Sequence, residues 1–163
     1  MDRRSGNFSL EIKQSVRDLY DDYAAVLDAM DIEGWAGFFT DDALYRVIAR
    51  ESYALGLSHA TIYCDGIGMI KDRVTMLDKV AVYEPRVLRH FITGVRIHSV
   101  TDQVIKASAN FQIIESLFDA EPQLLMVGEY RDEIVMAEDG AKFRCRDAIY
   151  DQYRVRTTLI VPV

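Results

Sequence analysis

Three histidines, two aspartates near the end of the chain and two cysteines are the residues here whose types could do chemistry. A mononuclear iron site needs two histidines and a carboxylate converging on a metal with open positions. His90 and His98 fall in one predicted strand, where even parity puts them on the same face but about 27 Å apart at ordinary strand rise. That separation forbids a shared metal. With His59 they read as partly buried or interface imidazoles that have hydrogen-bond partners. Asp147 and Asp151 share parity with Phe143, Cys145, Ile149, Tyr153 and Val155 in the last predicted strand. Carboxylates on a largely apolar face are candidates for bases of shifted pKa. The competing reading is that they pair with Arg89, Arg144 or Arg146, or that a bulge turns them outward. Cys64 and Cys145 lack a CxxC partner and read as reduced core residues.

The motifs that would strengthen a catalytic reading are missing from the sequence. It has no CxH…CxxH pattern for a Rieske cluster, no GxGxxG and no GxSxG nucleophile elbow. Gly66-Ile67-Gly68 reads only as a helix start. Trp35 reads as a core plug, and Met69, Met76, Met126 and Met136 as packing. The sequence therefore supplies no catalytic, cofactor-binding or metal residue with a motif behind it.

These residues must be positioned by a chain of 163 residues that is half hydrophobic and carries a formal charge of −7. That balance opposes a phosphate-binding surface and so a nucleic-acid partner. No stretch has the length and apolarity of a membrane span, and the polar start lacks the apolar run of a signal peptide. A cytoplasmic location is expected. Residues 1–8 read as a flexible tail, and 9–163 as a single domain.

Ser9 can cap a helix whose apolar face comprises Ile12, Val16, Leu19, Tyr20, Tyr23, Val26, Leu27 and Met30. A short helix follows from Asp31, carrying Trp35, Phe38 and Phe39, and Asp41-Asp42 reads as a turn. Ala43–Ala49 and Thr61–Cys64 read as strands. A third helix carries Ile67, Ile70, Val74, Leu77 and Val80, and Pro85 forbids its continuation. From Leu88 the period becomes two, with strands predicted at about 88–100, 103–118, 123–137 and 141–156. The order is α-α-β-β-α-β-β-β-β. The fold expected is α+β, a cystatin-like or nuclear-transport-factor-2-like cone of three helices on a strongly curved, mainly antiparallel sheet.

Residues 83–97, Tyr-Glu-Pro-Arg-Val-Leu-Arg-His-Phe-Ile-Thr-Gly-Val-Arg-Ile, resemble a stretch of the β (small) subunits of aromatic-ring-hydroxylating dioxygenases, the Rieske non-haem iron oxygenases. Three other places are similar to the same family: Asp31–Tyr45, Ser108–Ile113 and Arg146–Gln152. The end, Thr157–Val163, is closer to the small subunits of terephthalate- or salicylate-type hydroxylases. This resemblance implies a non-catalytic, structural subunit that assembles with an α subunit as α3β3 and associates with itself as a trimer. The Rieske 2Fe–2S cluster and the mononuclear iron would sit in the α partner, with no cofactor in this chain. Tyr130, Arg131, Arg144, Arg146, Tyr150 and Arg154 mix aromatic and Arg side chains and are expected at interfaces. Two other readings compete. One is a stand-alone cone-fold isomerase, dehydratase or cyclase acting on a small apolar compound, with Asp147, Asp151 or His90 as base. The other is a non-enzymatic ligand-binding or self-associating module.

Overall fold

A computed structural model describes residues 8–79, 84–153, 155, 159 and 161–163. The chain opens with helix α1, Leu10–Asp28, started by Ser9, whose side chain accepts from Ile12 N. The face predicted from three- and four-residue spacing is the buried one: Val16, Leu19, Tyr20, Tyr23 and Leu27. A tight connection through Met30, at φ 58°, leads to α2, Ile32–Trp35. Asp31 caps it through Gly34 N, and a Cβ at residue 34 would lie 2.3 Å from Asp31 Oδ2, so a larger residue there would push the capping carboxylate aside. A 3-10 turn, Ala36–Phe38, follows.

Six strands form one sheet: β1 (Phe39–Ala49), β2 (Ile62–Asp65), β3 (Arg86–Thr101), β4 (Val104–Leu117), β5 (Gln123–Ala137) and β6 (Gly140–Tyr150). The strand order is β2-β1-β6-β5-β4-β3. Among the described residues only the β1–β6 pair is parallel, so the sheet is mainly antiparallel as expected. The sheet is curved and does not close. Helix α1 packs against β3, and α4 (Gly66–Lys79) against β1, so the helices and one sheet face enclose the core. The α+β cone expected from the sequence is the fold observed. The polar stretch 1–7, Val80 of the predicted third helix and Tyr83 lie outside the described residues.

Four local expectations are corrected. Asp41-Asp42 is not a turn but lies within β1: pairing with β6 jumps from Phe39–Phe143 to Leu44–Cys145, and the extra residues form a bulge. A fourth helix, α3 (Arg50–Ala54), follows β1 and is too short to show a period. The last strand ends at Tyr150, not near 156. There the side chain of Gln152 replaces the ladder, accepting from Val127 N and donating to Leu125 O. Of the four methionines expected to pack, Met126 is fully buried, whereas Met69, Met76 and Met136 are exposed.

Further bulges in β3 and β6 decide which side chains face the core. In β3, register shifts between Thr93 and Arg96 and again between Ile97 and Ser99. Gly94, at φ 64°, takes the left-handed conformation that the first of these needs. In β6 the pairing runs Glu133–Cys145 and then Ile134–Phe143, leaving Arg144 as the extra residue. Residues on either side of Arg144 therefore have opposite parity from a regular strand.

Candidate functional site

The β6 bulge overturns the predicted inner face of that strand. Phe143, Arg146 and Ala148 point into the core, while Asp147 lies on the other face beside Arg46 and Arg131. There Arg46 holds Asp147 side-on, Nε to Oδ1 and Nη2 to Oδ2, both at 2.6 Å. Asp151 lies beyond the strand end and pairs with Arg50. Neither aspartate is an unpaired base facing the inside of the cone. The outward turn weighed for them is what occurs, with Arg46 and Arg50 as partners rather than Arg89, Arg144 or Arg146.

The histidines separate as well. His59 is exposed in the loop before β2. His98 bonds Ser108 Oγ through Nε2, at 2.7 Å, on the outer face. His90 faces the core, so His90 and His98 are on opposite faces because the β3 bulge breaks their parity. His90 Nδ1 lies 2.7 Å from Asp28 Oδ1, and its backbone N–H donates to the same carboxylate. Burial pushes the imidazole pKa down against the pull of Asp28, which favours the neutral ring. Its Nε2 is buried and without a partner.

The polar centre of the cone is instead built on Arg146 and Asp132, which periodicity did not select. Both side chains are completely buried, and Nη1 donates to Asp132 Oδ2 at 3.0 Å. Tyr20, from α1, donates its hydroxyl to the same oxygen. Rings crowd the guanidinium: its carbon lies 3.6 Å from the Tyr130 centroid, 4.1 Å from Tyr23 and 4.2 Å from Phe143. Desolvation raises Asp132 to about 6, with Arg146 and the Tyr20 bond pulling the other way. For Arg146, burial opposes the charge, but Asp132 and the tyrosines more than offset it and keep the guanidinium protonated.

Next to this centre runs a relay of hydrogen bonds. Trp35 Nε1 donates to the Tyr23 hydroxyl at 3.0 Å, and Tyr23 donates to Val163 O at 2.8 Å. Val163 N donates to the Tyr45 hydroxyl at 2.8 Å. Val161 and Val163 are buried in the core. Within the predicted Thr157–Val163 end, 157, 158 and 160 lie outside the described residues. Trp35 is fully buried, the core plug expected of it. Both cysteines are free, Cys64 buried and Cys145 partly so, and burial pushes the Cys145 thiol up to about 12.

Among the described residues no three His, Cys, Asp or Glu side chains converge as metal ligands. Of the residues expected at interfaces, Arg131 and Arg144 are on the outer sheet face, but Arg146, Tyr130 and Tyr150 are buried, and Arg154 lies outside the described residues. Arg146 faces inward because, over the stretch where 128–137 pairs with 140–150, β6 carries one residue more than β5, a difference that periodicity does not reveal.

Residues 23–157 match the family model described as "Ring hydroxylating beta subunit". The chain belongs to this family. It is 30% identical over 141 residues to the anthranilate 1,2-dioxygenase small subunit of Burkholderia cepacia, covering 86% of this chain and 88% of that one. It is 28% identical to a terephthalate 1,2-dioxygenase terminal oxygenase β subunit of Comamonas sp., covering 86% and 92%. Among solved structures it matches a β subunit ascribed to an aromatic-ring-hydroxylating dioxygenase of Novosphingobium aromaticivorans, with a TM-score of 0.83, 32% identity and coverage of 92% and 95%. The cone is also shared, as a fold alone, with naphthalene 1,2-dioxygenase at 20% identity and TM-score 0.80, covering 98% of this chain and 89% of that chain. This chain is thus a structural β subunit of a multicomponent aromatic-ring-hydroxylating dioxygenase, an oxidoreductase complex in which β pairs with α.

Proposed function

We propose that this β subunit carries no catalytic centre and that ring oxidation belongs to the α partner, which holds the Rieske cluster and the mononuclear iron. The observation that carries this reading is the engagement of each candidate base: Asp147 by Arg46, Asp151 by Arg50 and His90 Nδ1 by Asp28. We further propose an α3β3 assembly with the β subunits associated as a trimer, a cytoplasmic location, and residues 9–163 acting as one domain. The outer sheet face supports an interface role. Val87, Phe91 and Leu124 are each about half exposed there, and Arg131 and Arg144 on the same face carry paired charges. The relatives named for anthranilate and terephthalate favour an aromatic carboxylate as the substrate of the complex.

Co-expression with the α subunit tests this. The complex should elute at the mass of α3β3, contain iron and an absorbing cluster, and oxidise an aromatic carboxylate. The β chain purified alone should lack both iron and activity. Stoichiometric iron in β alone, or turnover of a small substrate by β alone, would refute the reading.

A further inference from the structure

The segment around Val163 is held differently from the rest of the fold. Among the described residues, backbone-to-backbone bonding ends with Asp151 N donating to Val127 O. Beyond it Val161, Pro162 and Val163 are buried, and the bonds that hold this part of the chain come from side chains. Leu159 O accepts from Arg73 Nη2 at 3.1 Å. Val163 O accepts from the Tyr23 hydroxyl at 2.8 Å and from the Tyr45 hydroxyl at 3.2 Å, and Val163 N donates to Tyr45 at 2.8 Å. These partners stand on α1, β1 and α4, elements that the segment does not help to form. Their rings brace one another without it. Trp35 meets Phe39 and Tyr45 edge-on, both at 5.3 Å between centroids, and Tyr23 meets Phe39 and Phe143 in the same way. Trp35 Nε1 in turn donates to the Tyr23 hydroxyl. Apolar walls with a few convergent polar groups are the makings of a ligand pocket, and here the group they enclose is a stretch of the chain itself.

We propose that Tyr23, Trp35 and Tyr45 form a binding pocket for a short aliphatic peptide, and that Val161–Val163 is its built-in, detachable occupant. The two hydroxyls read the N–H and C=O of one residue, and the core encloses valine-sized side chains. The room is that of the segment itself. Detaching the segment leaves the sheet ladder intact and strips two buried hydroxyls of a partner, which another peptide can restore. The pocket belongs to this chain alone and does not depend on the assembly reading.

The test is complementation. A chain shortened to end at Ile160 is titrated with the synthetic peptide acetyl-Val-Pro-Val, followed by calorimetry and by the melting temperature. The peptide should bind with a Kd on the order of 0.1 mM and raise the melting temperature in a saturable way. Acetyl-Gly-Pro-Gly keeps the backbone groups but not the aliphatic side chains and should bind at least about a hundredfold more weakly. In the shortened chain Tyr45→Phe removes one hydroxyl and should weaken acetyl-Val-Pro-Val about tenfold. If the shortened chain does not fold alone, the same peptide should restore its far-ultraviolet circular dichroism. In the full chain, hydrogen exchange should release the Val163 amide at least about tenfold faster than the Phe111 amide of the β4 ladder, because the segment detaches without unfolding the sheet. A shortened chain that neither binds nor is refolded by the peptide, equal binding of the glycine peptide, or a Val163 amide that exchanges only as fast as the ladder overturns the proposal.

Discussion

Arg146 and Asp147 are neighbours in β6, yet each belongs to an ion pair on a different face of the sheet. The outer pair, Arg46–Asp147, is two-pronged, at 2.6 Å, with Arg46 partly open to solvent. The inner pair, Arg146–Asp132, has one contact at 3.0 Å and no solvent exposure on either side chain. The outer pair has the better geometry, but the inner one has more at stake. Arg46 is partly open to solvent and can turn to water when Asp147 is lost, whereas removing a partner inside leaves a charge stranded among rings. What separates the two pairs energetically is therefore the medium around them more than the bond itself.

The sharpest test of that contrast is Asp132→Ala, which should destabilise the chain by about 3–5 kcal/mol by stranding Arg146. Urea unfolding would measure it. The double change Arg146→Met with Asp132→Leu should recover most of the loss, and failure to do so would show that the pair itself contributes more than its burial costs. Trp35→Ala, in the same core, should also cost about 3–5 kcal/mol. On the outer face Asp147→Ala should cost only about 1–2 kcal/mol in the same assay. A cost equal to that of Asp132→Ala would erase the distinction between the faces.

The pH dependence sharpens the comparison on a smaller scale, with each proton limited to about 1.4 kcal/mol per pH unit. His90 has a folded pKa below its usual 6.5, so its contribution is whole above 6.5 and is lost as pH falls from there towards the folded value. Asp132 is raised from 3.8 to about 6, so its contribution is whole below 3.8 and declines as pH rises to about 6. The two slopes oppose one another across that window. Asp132→Asn should unmask the His90 slope, giving a steeper loss of stability on acidification below 6.5 than in the parent chain. Unchanged curvature in a pH series of urea melts would remove both groups from the account. At the bottom of the scale, Arg131→Ala should stay within about 0.5 kcal/mol, since that side chain is half exposed.

The elements that could be read from the sequence were a helix with a regular apolar face and strands set off by clear turns. The buried face of α1 and the meander from Arg86 to Tyr150 follow from spacing and turn residues alone. The family was legible from the block around Arg89-His90-Phe91. The inner polar centre was not, because parity is additive along a strand and one extra residue reverses it. Arg144 does this in β6, turning Arg146 inward and Asp147 outward, and the β3 irregularity separates His98 from His90 in the same way. Asp28 and Tyr20 looked like one polar and one apolar position of an amphipathic helix, and only the fold brings them to His90 and Asp132.

The relay from Trp35 through Tyr23 to Val163 has an optical consequence. The sequence holds one tryptophan, and its indole N–H bonds the hydroxyl that also holds Val163. Any event that unseats Val163 changes the partner of that hydroxyl and the polarity felt by the indole. The intrinsic emission of this chain is thus a gauge of one junction, where α1, α2 and the segment around Val163 meet. It can follow in real time, without a label, whether that junction tightens or loosens when the α subunit is added.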